Sequence, residues 1–354
     1  MVLRLLQSLF SITPKSAGKF DPDLIRAAIE RVVDGTDPRL RMARQYRKQL
    51  WNAVEHTIEY VIDLVDQMPS PVEIGRHSFT TDPRLRAFFA SPRHLQETLS
   101  FNPDLRQYRQ RLNGTLPSDL YAVLRMQRTE KTIFGVALDG NMIRRDVPQT
   151  IVNFDQHQIA FLAGSETKTR REIKKRAFDH LIEAALERLS AVRSQKQQLE
   201  QQRRQLLQKK TKLLKGAHVA LEPLLDSHAA ELSNPVAIDR RLREIEAELS
   251  QLYADSATID DQLVSVVATL REPEKHLCCN QVSLTLDHMN TLVAPGSSYN
   301  ANTLNFDEIQ LGPNRRVAIL IIRFPSADIL PQPDFFDEAN RLLYLGGQPR
   351  LTTI

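Results

Sequence analysis

Glycine is scarce in this chain: there are 12 in 354 residues, about half of the ~7% usual in globular proteins. That shortage disfavours folds whose chemistry depends on several glycine-rich phosphate loops, and the recognisable loops are missing too. Gly135 and Gly140 have the spacing of a P-loop, but Asn141-Met142 stands where the Lys and Ser/Thr that hold phosphate and magnesium belong. No G-x-G-x-x-G, G-x-S-x-G or H-E-x-x-H pattern occurs, which removes the commonest local marks of dinucleotide enzymes, serine hydrolases and zinc proteases.

Cysteine is nearly absent. Cys278 and Cys279 are the only two, and neighbours on a chain do not readily reach disulfide geometry. No disulfide framework is expected, and reduced thiols point to a cytoplasmic location. His276-Leu277-Cys278-Cys279 holds ligand-type residues, yet adjacent strand positions face opposite sides and no second cluster accompanies them, so neither a metal nor a cofactor is expected. Asp21-Pro22-Asp23 resembles a carboxylate pair only in spacing, because helix capping accounts for Asp21. Long apolar runs are missing as well, so no transmembrane segment is expected. The start, Met1 to Phe10, is broken by Arg4, Gln7 and Ser8 and lacks a small-residue cleavage site, so it is not read as a signal peptide.

What is present is an ordinary globular composition, 42% hydrophobic and 25% charged with a net charge of +4. Residues 1–117 repeat one device: Asp21-Pro, Asp37-Pro, Asp82-Pro, Ser91-Pro and Asn102-Pro each set an N-cap acceptor before a proline that loses nothing at a first helical position. The spacing predicts helices after each, the longest from Pro38 to Gln67. Thr-Asp-Pro-Arg-Leu-Arg occurs at 36–41 and 81–86, which shared capping explains better than duplication. Arg41, Arg44 and Lys48 would share one side of the long helix as a phosphate stripe or, the favoured reading given Glu55, Glu59, Asp63 and Asp66 beyond, as a mixed solvated face.

From Asp119 the period falls towards two. Leu120–Arg128 and Thr132–Leu138 read as strands, Asp139-Gly140-Asn141 as a tight turn, Met142–Arg145 as the return, and Ile151–Phe154 with Gln158–Leu162 as a further hairpin. After His276, Val282, Leu284 and Leu286 alternate with polar residues, and Arg316–Arg323 reads as a strand buried on both faces.

Between these blocks the apolar rhythm is helical. Phe178, Ile182, Ala185, Leu189, Val192, Lys196, Leu199, Arg203, Leu206, Lys210 and Leu213 step by four and three; Ile238 to Leu270 repeats the pattern. The two runs span about 54 and 50 Å at 1.5 Å per residue. Residues 166–215 are net +9 and 236–272 net −4, so an antiparallel coiled-coil hairpin is expected, turning near residue 226. That register sets Lys196 near Asp255 and Arg203 near Glu248, and leaves Lys210 to snorkel.

The expected fold is therefore α+β and predominantly helical: an N-terminal helical region (1–117), an antiparallel β domain (118–165 and 276–325) interrupted by the coiled-coil hairpin (166–275), and a C-terminal loop and short helix (326–354). The expected function is that of a non-enzymatic scaffold or adaptor, acting through protein–protein interaction or self-association, with Val219, Leu221, Leu224 and Leu225 at the hairpin tip as candidate partner contacts. Leu181, Leu186, Leu207 and Leu214 widen the apolar stripe of the first helix: packing of the hairpin base against the β domain is the plain reading for Leu181 and Leu186, and dimerisation through a four-helix bundle is the rival one. One alternative is binding of nucleic acid or an anionic surface by Arg170, Arg171, Lys174, Lys175 and Arg176 at the hairpin base and Lys209, Lys210, Lys212 and Lys215 near its tip. The other is an enzyme whose site is noncontiguous, assembled from residues such as Tyr121, Arg125, His157 and His288.

Overall fold

A computed structural model describes residues 20–139, 142–216, 235–256, 258–293, 301–311 and 315–331. The expected hairpin tip and the short helix expected within 326–354 lie outside them, the latter because residues 332–354 are not described. Helices and a six-stranded sheet are both present, making the chain α+β. It divides into two compact units, Met1–Asp63 with Lys175–His276, and Leu64–Lys174 with Leu277–Ile354.

In the first unit, α1 (Pro22–Gly35) starts where the Asp21 carboxylate accepts the Asp23 amide. Asp37 caps only a short 3-10 turn, Pro38–Met42. Gln45 then takes a left-handed backbone (φ 54°), and α2 (Tyr46–Asp66) begins after it. The long helix expected from Pro38 is thus interrupted, and the Arg41/Arg44/Lys48 stripe does not form. Instead Arg41 pairs with Glu30 at 3.0 Å and Asp34 at 2.6 Å.

In the second unit, β1 (Val72–Glu73) precedes four short helices: α3 (Arg76–Thr81), α4 (Pro83–Phe88), α5 (Pro92–Ser100) and α6 (Pro103–Arg111). Asp82, Ser91 and Asn102 cap the last three, each with proline in the first turn. The twin hexapeptides share one hydrogen-bond pattern: Asp37 accepts the amide and guanidinium of Arg39 as Asp82 does those of Arg84.

β2 (Asp119–Asp139) and β3 (Met142–Ala163) are single strands of 21 and 22 residues. The break expected at Thr129–Lys131 and the second hairpin expected within 151–162 are not there. Their place is taken by bulges, between Tyr121/Val123, Arg125/Gln127 and Gly135/Ala137. Each puts the extra residue on β3, where Phe161, Gln156 and Asp146 have positive φ. Such bulges bend a strand and increase its twist.

The sequence continues through α7 (Glu166–Gly216), α8 (Pro235–Ser256) and α9 (Ile259–Arg271) to β4 (Leu277–Leu286), β5 (Asn302–Leu311) and β6 (Arg315–Pro325). Strand order is β3-β2-β6-β5-β4, antiparallel throughout, with β1 parallel to β6. The sheet curls until Asp287–Val293 bridges its edges: Leu292 pairs with Leu286 and Thr291 with Ile151. The helix-facing side holds the core, where Phe88, Phe154 and Phe306 meet edge to face at 4.7–5.9 Å. Ile319 and Ile321, on the opposite side of central β6, are buried too.

α8 and α9 replace the unbroken second run expected from Ile238 to Leu270. The restart is a capping box: Thr258 Oγ1 accepts the Asp261 amide while the Asp261 carboxylate accepts the Thr258 amide.

Candidate interaction surfaces

α7 and α8 meet through Leu199 and Leu206 on one side and Ile238, Leu242, Ile245 and Leu249 on the other, with Leu252 packed alongside. Two ion pairs cross between them, Arg203–Glu246 at 3.6 Å and Lys210–Asp239 at 2.6 Å. As one number rises the other falls, so the helices run antiparallel. Glu246 lies two residues earlier than the Glu248 expected from sequence for Arg203, and Lys210, expected to snorkel, pairs with Asp239 instead. Glu248 instead faces Arg241 of its own helix at 3.9 Å. Lys196 has an interaction partner; the side chain of Asp255 lies outside the described residues, as do that of Lys215 and the whole of the tip, Val219, Leu221, Leu224 and Leu225.

Away from the seam the pair is polar. Gln201, Gln202, Arg204, Gln205, Gln208, Lys209 and Lys212 on α7 are exposed, and Leu207 and Leu213 are the exposed apolar residues among them, at 43% and 37%. Arg204, Lys209 and Lys212 make no ion pair among the described residues.

The basic cluster at the start of α7 is tied up by the protein itself. The Arg170 guanidinium donates to the carbonyls of Val65, Met68 and Pro69 at 2.6, 3.1 and 2.8 Å and to Glu166 at 2.7 Å. It therefore caps the C-terminus of α2, where helices leave carbonyls unpaired. Lys174 pairs with Asp66 at 2.7 Å and Arg176 with Glu183 at 2.8 Å; Arg171 and Lys175 also have partners.

The residues considered for a noncontiguous active site are not gathered in one place. Arg125 donates to Gln158 across β2 and β3, His288 is exposed in the turn after β4, and His157 sits against the helices. There its ring stacks on Phe89 at 4.7 Å, meets His94 at 5.1 Å, and hydrogen-bonds the Phe88 carbonyl through Nε2 at 2.7 Å. Burial, and secondarily the neighbouring His94, push the His157 pKa below its ordinary value. Sequence reasoning missed this cluster because its members come from α4, α5 and β3 and share no spacing.

Cys278 and Cys279 are free thiols at successive positions of β4. Burial, then the nearby Asp307, pushes the Cys279 pKa up to about 12, so it stays a protonated thiol rather than the thiolate that attacks or binds metal. Among the described residues no three His, Cys, Asp or Glu side chains converge as metal ligands do, and no helix is long and apolar enough to cross a membrane. An open cleft between Thr81–Arg84 and Thr303–Asn305 is polar, but its Asp82 and Arg84 already pair with each other at 2.7 Å.

No protein-family model, curated protein or solved structure matches the chain.

Proposed function

We propose that this protein is a non-enzymatic scaffold or adaptor whose working part is an antiparallel coiled-coil hairpin formed by α7 and α8. The observation that carries the reading is the seam itself, six buried aliphatic residues flanked by two cross-helix ion pairs. An aliphatic core this narrow holds two helices together and, among the described residues, leaves their outer faces, rich in Gln and Arg, exposed; such faces suit a polar, exchangeable protein contact. The test is affinity capture with the whole chain, beside a version in which 196–253 is replaced by a short Gly-Ser turn and a second carrying Ile245→Asp to split the seam. Partners lost from both support the reading. Partners retained by both overturn it.

Binding of nucleic acid is the second reading, favoured by Arg204, Lys209 and Lys212, which make no ion pair among the described residues, and weakened by the internal pairing of the basic residues at the start of α7. Titration with labelled DNA and RNA at low and moderate salt decides it, because phosphate contacts by these residues would give a steep salt dependence.

A further inference from the structure

In the second unit, polar side chains as well as the aromatic core tie α4 to the sheet. Helices end on carbonyls that lack a partner within the helix, and two at the end of α4 are met from outside it. Asn290 Nδ2 donates to the Ala87 carbonyl at 2.8 Å, and His157 Nε2 to the Phe88 carbonyl at 2.7 Å. Of these two ties, the imidazole is the one that can titrate near neutrality.

A backbone feature aims His157 at the helices. Phe154 and Ile159 both lie in the core, although strict alternation would set an even and an odd strand position on opposite sides. The bulge between them, with Gln156 in the left-handed region (φ 54°), reverses the alternation and turns His157 the same way.

A carbonyl only accepts, so Nε2 carries the ring's proton and a second proton must go to Nδ1. The ring stacks on Phe89 at 4.7 Å, and the His94 imidazole of α5 stands edge-on to it at 5.1 Å. Among the described residues His94 Nδ1 is buried without a hydrogen-bond partner. Of the charged groups around the pair, Arg93 of α5 is paired with Glu97 and Arg125 of β2 is engaged by Gln158. Asp155, on the same strand as His157, favours the charged ring but is exposed.

We propose that the His94–His157 contact is a proton-operated latch, which holds the α4–α5 corner on β3 at neutral pH and releases that corner alone in mild acid. A charge on the closed ring is cut off from water and lies beside a second imidazole, whereas opening returns both rings to water. Burial already holds the His157 pKa below its unfolded 6.5, so protons favour the open form and closure is complete above that value. Phe88 meets the Phe154 and Phe306 rings edge to face, so release of the corner exposes an aromatic surface that neutral pH hides.

Hydrogen–deuterium exchange on the full chain at about pH 7.5 and about pH 5.5, corrected for the pH dependence of intrinsic exchange, tests this. Peptides covering 84–97 and 154–160 should open at least about threefold more at the lower pH, about tenfold being the ceiling for one imidazole over that interval. Peptides from β5 and β6 should not follow them. His157→Gln keeps a donor for the Phe88 carbonyl and should abolish the pH response. Asn290→Ala removes the other tie and should speed opening equally at both pH values, which separates a structural contact from a titrating one. Should His157→Gln fail to fold, the parent profile decides alone. Corner exchange that ignores pH, a response that survives in His157→Gln, or one shared equally by β5 and β6 overturns the proposal.

Discussion

Asp37 and Arg193 form an ion pair across 156 residues of sequence. The same carboxylate caps the 3-10 turn and grips Arg39, while Arg193 also donates to Gln262 of α9 at 3.0 Å. One acid at a helix start therefore fastens α7 at the point beyond which its next described packing is against α8.

Replacing Asp37 with Asn should destabilise the chain by about 1 to 2 kcal/mol, since Asn still caps the turn but leaves the half-buried Arg193 guanidinium without its counter-charge. The guanidinium of Arg39, with Arg193 adding to it, holds the Asp37 pKa well below its unfolded value of 3.8. A depressed carboxyl pKa contributes stability that is present above the unfolded value and lost as pH falls through the folded one. Denaturant melts from neutral to acid pH should show the parent losing this increment below about pH 4 and the Asn variant lacking it throughout.

Arg170 predicts a second, separate loss. Arg170→Met removes the donors to three carbonyls at the end of α2 and should cost about 2 to 4 kcal/mol. Arg170→Lys should recover little, because one ammonium cannot reproduce the spread of a guanidinium fork. Urea titration of the three proteins checks both statements.

The His157–His94 pair predicts acid sensitivity. The folded His157 pKa lies below the unfolded 6.5, chiefly through burial and then through His94, with the hydrogen bond to the Phe88 carbonyl and, less, Asp155 opposing. The unfolded chain therefore binds the proton more readily, so stability is complete above pH 6.5 and declines as pH falls from there through the folded pKa. His157→Gln should flatten that decline in thermal melts taken between acid and neutral pH; an unchanged slope would assign the effect elsewhere.

Within the arm, leucine and isoleucine should outweigh charge. Ile245→Ala at a fully buried seam position is expected to cost about 2 to 4 kcal/mol of local stability, read as faster amide exchange across α7 and α8. The Lys210–Asp239 pair, with side chains 34% and 44% exposed, should show a coupling below about 1 kcal/mol in a double-mutant cycle.

Capping and burial were legible in the sequence; interruptions were not. All five X-Pro sites start helical turns, because an N-cap acceptor and a proline with no amide to lose are local chemistry. The run through Ile319–Ile322 reads as a strand buried on both sides for the same reason: hydrophobicity without alternation. The continuation of β2 through polar Thr129-Glu130-Lys131 was hidden, since it depends on pairing with Asn153-Val152-Ile151 rather than on any preference of those residues. The bulges at Asp146, Gln156 and Phe161 likewise follow from register. Gln45 and Thr258 break helical rhythm that the apolar spacing alone carries through, and the Thr258–Asp261 capping box was the one signal that could have revealed the second break. Of the surfaces, the apolar residues that α7 and α8 bury against each other were readable from their helical spacing, while the fate of Arg170 was not, because a cation on a helix carries no mark of the carbonyls it will meet.

The strand order has a consequence for synthesis. β2 and β3 leave the ribosome together and can pair at once, but β6, which covers the other edge of β2 from Asp119 to Met126, is made only after the whole of α7, α8 and α9. At the usual ~5–20 residues per second, Leu120, Ala122 and Leu124 wait on the order of ten to forty seconds for it. An apolar strand edge left unpaired for that interval is exposed to aggregation, and slowing translation between residues 166 and 300 should lengthen that exposure.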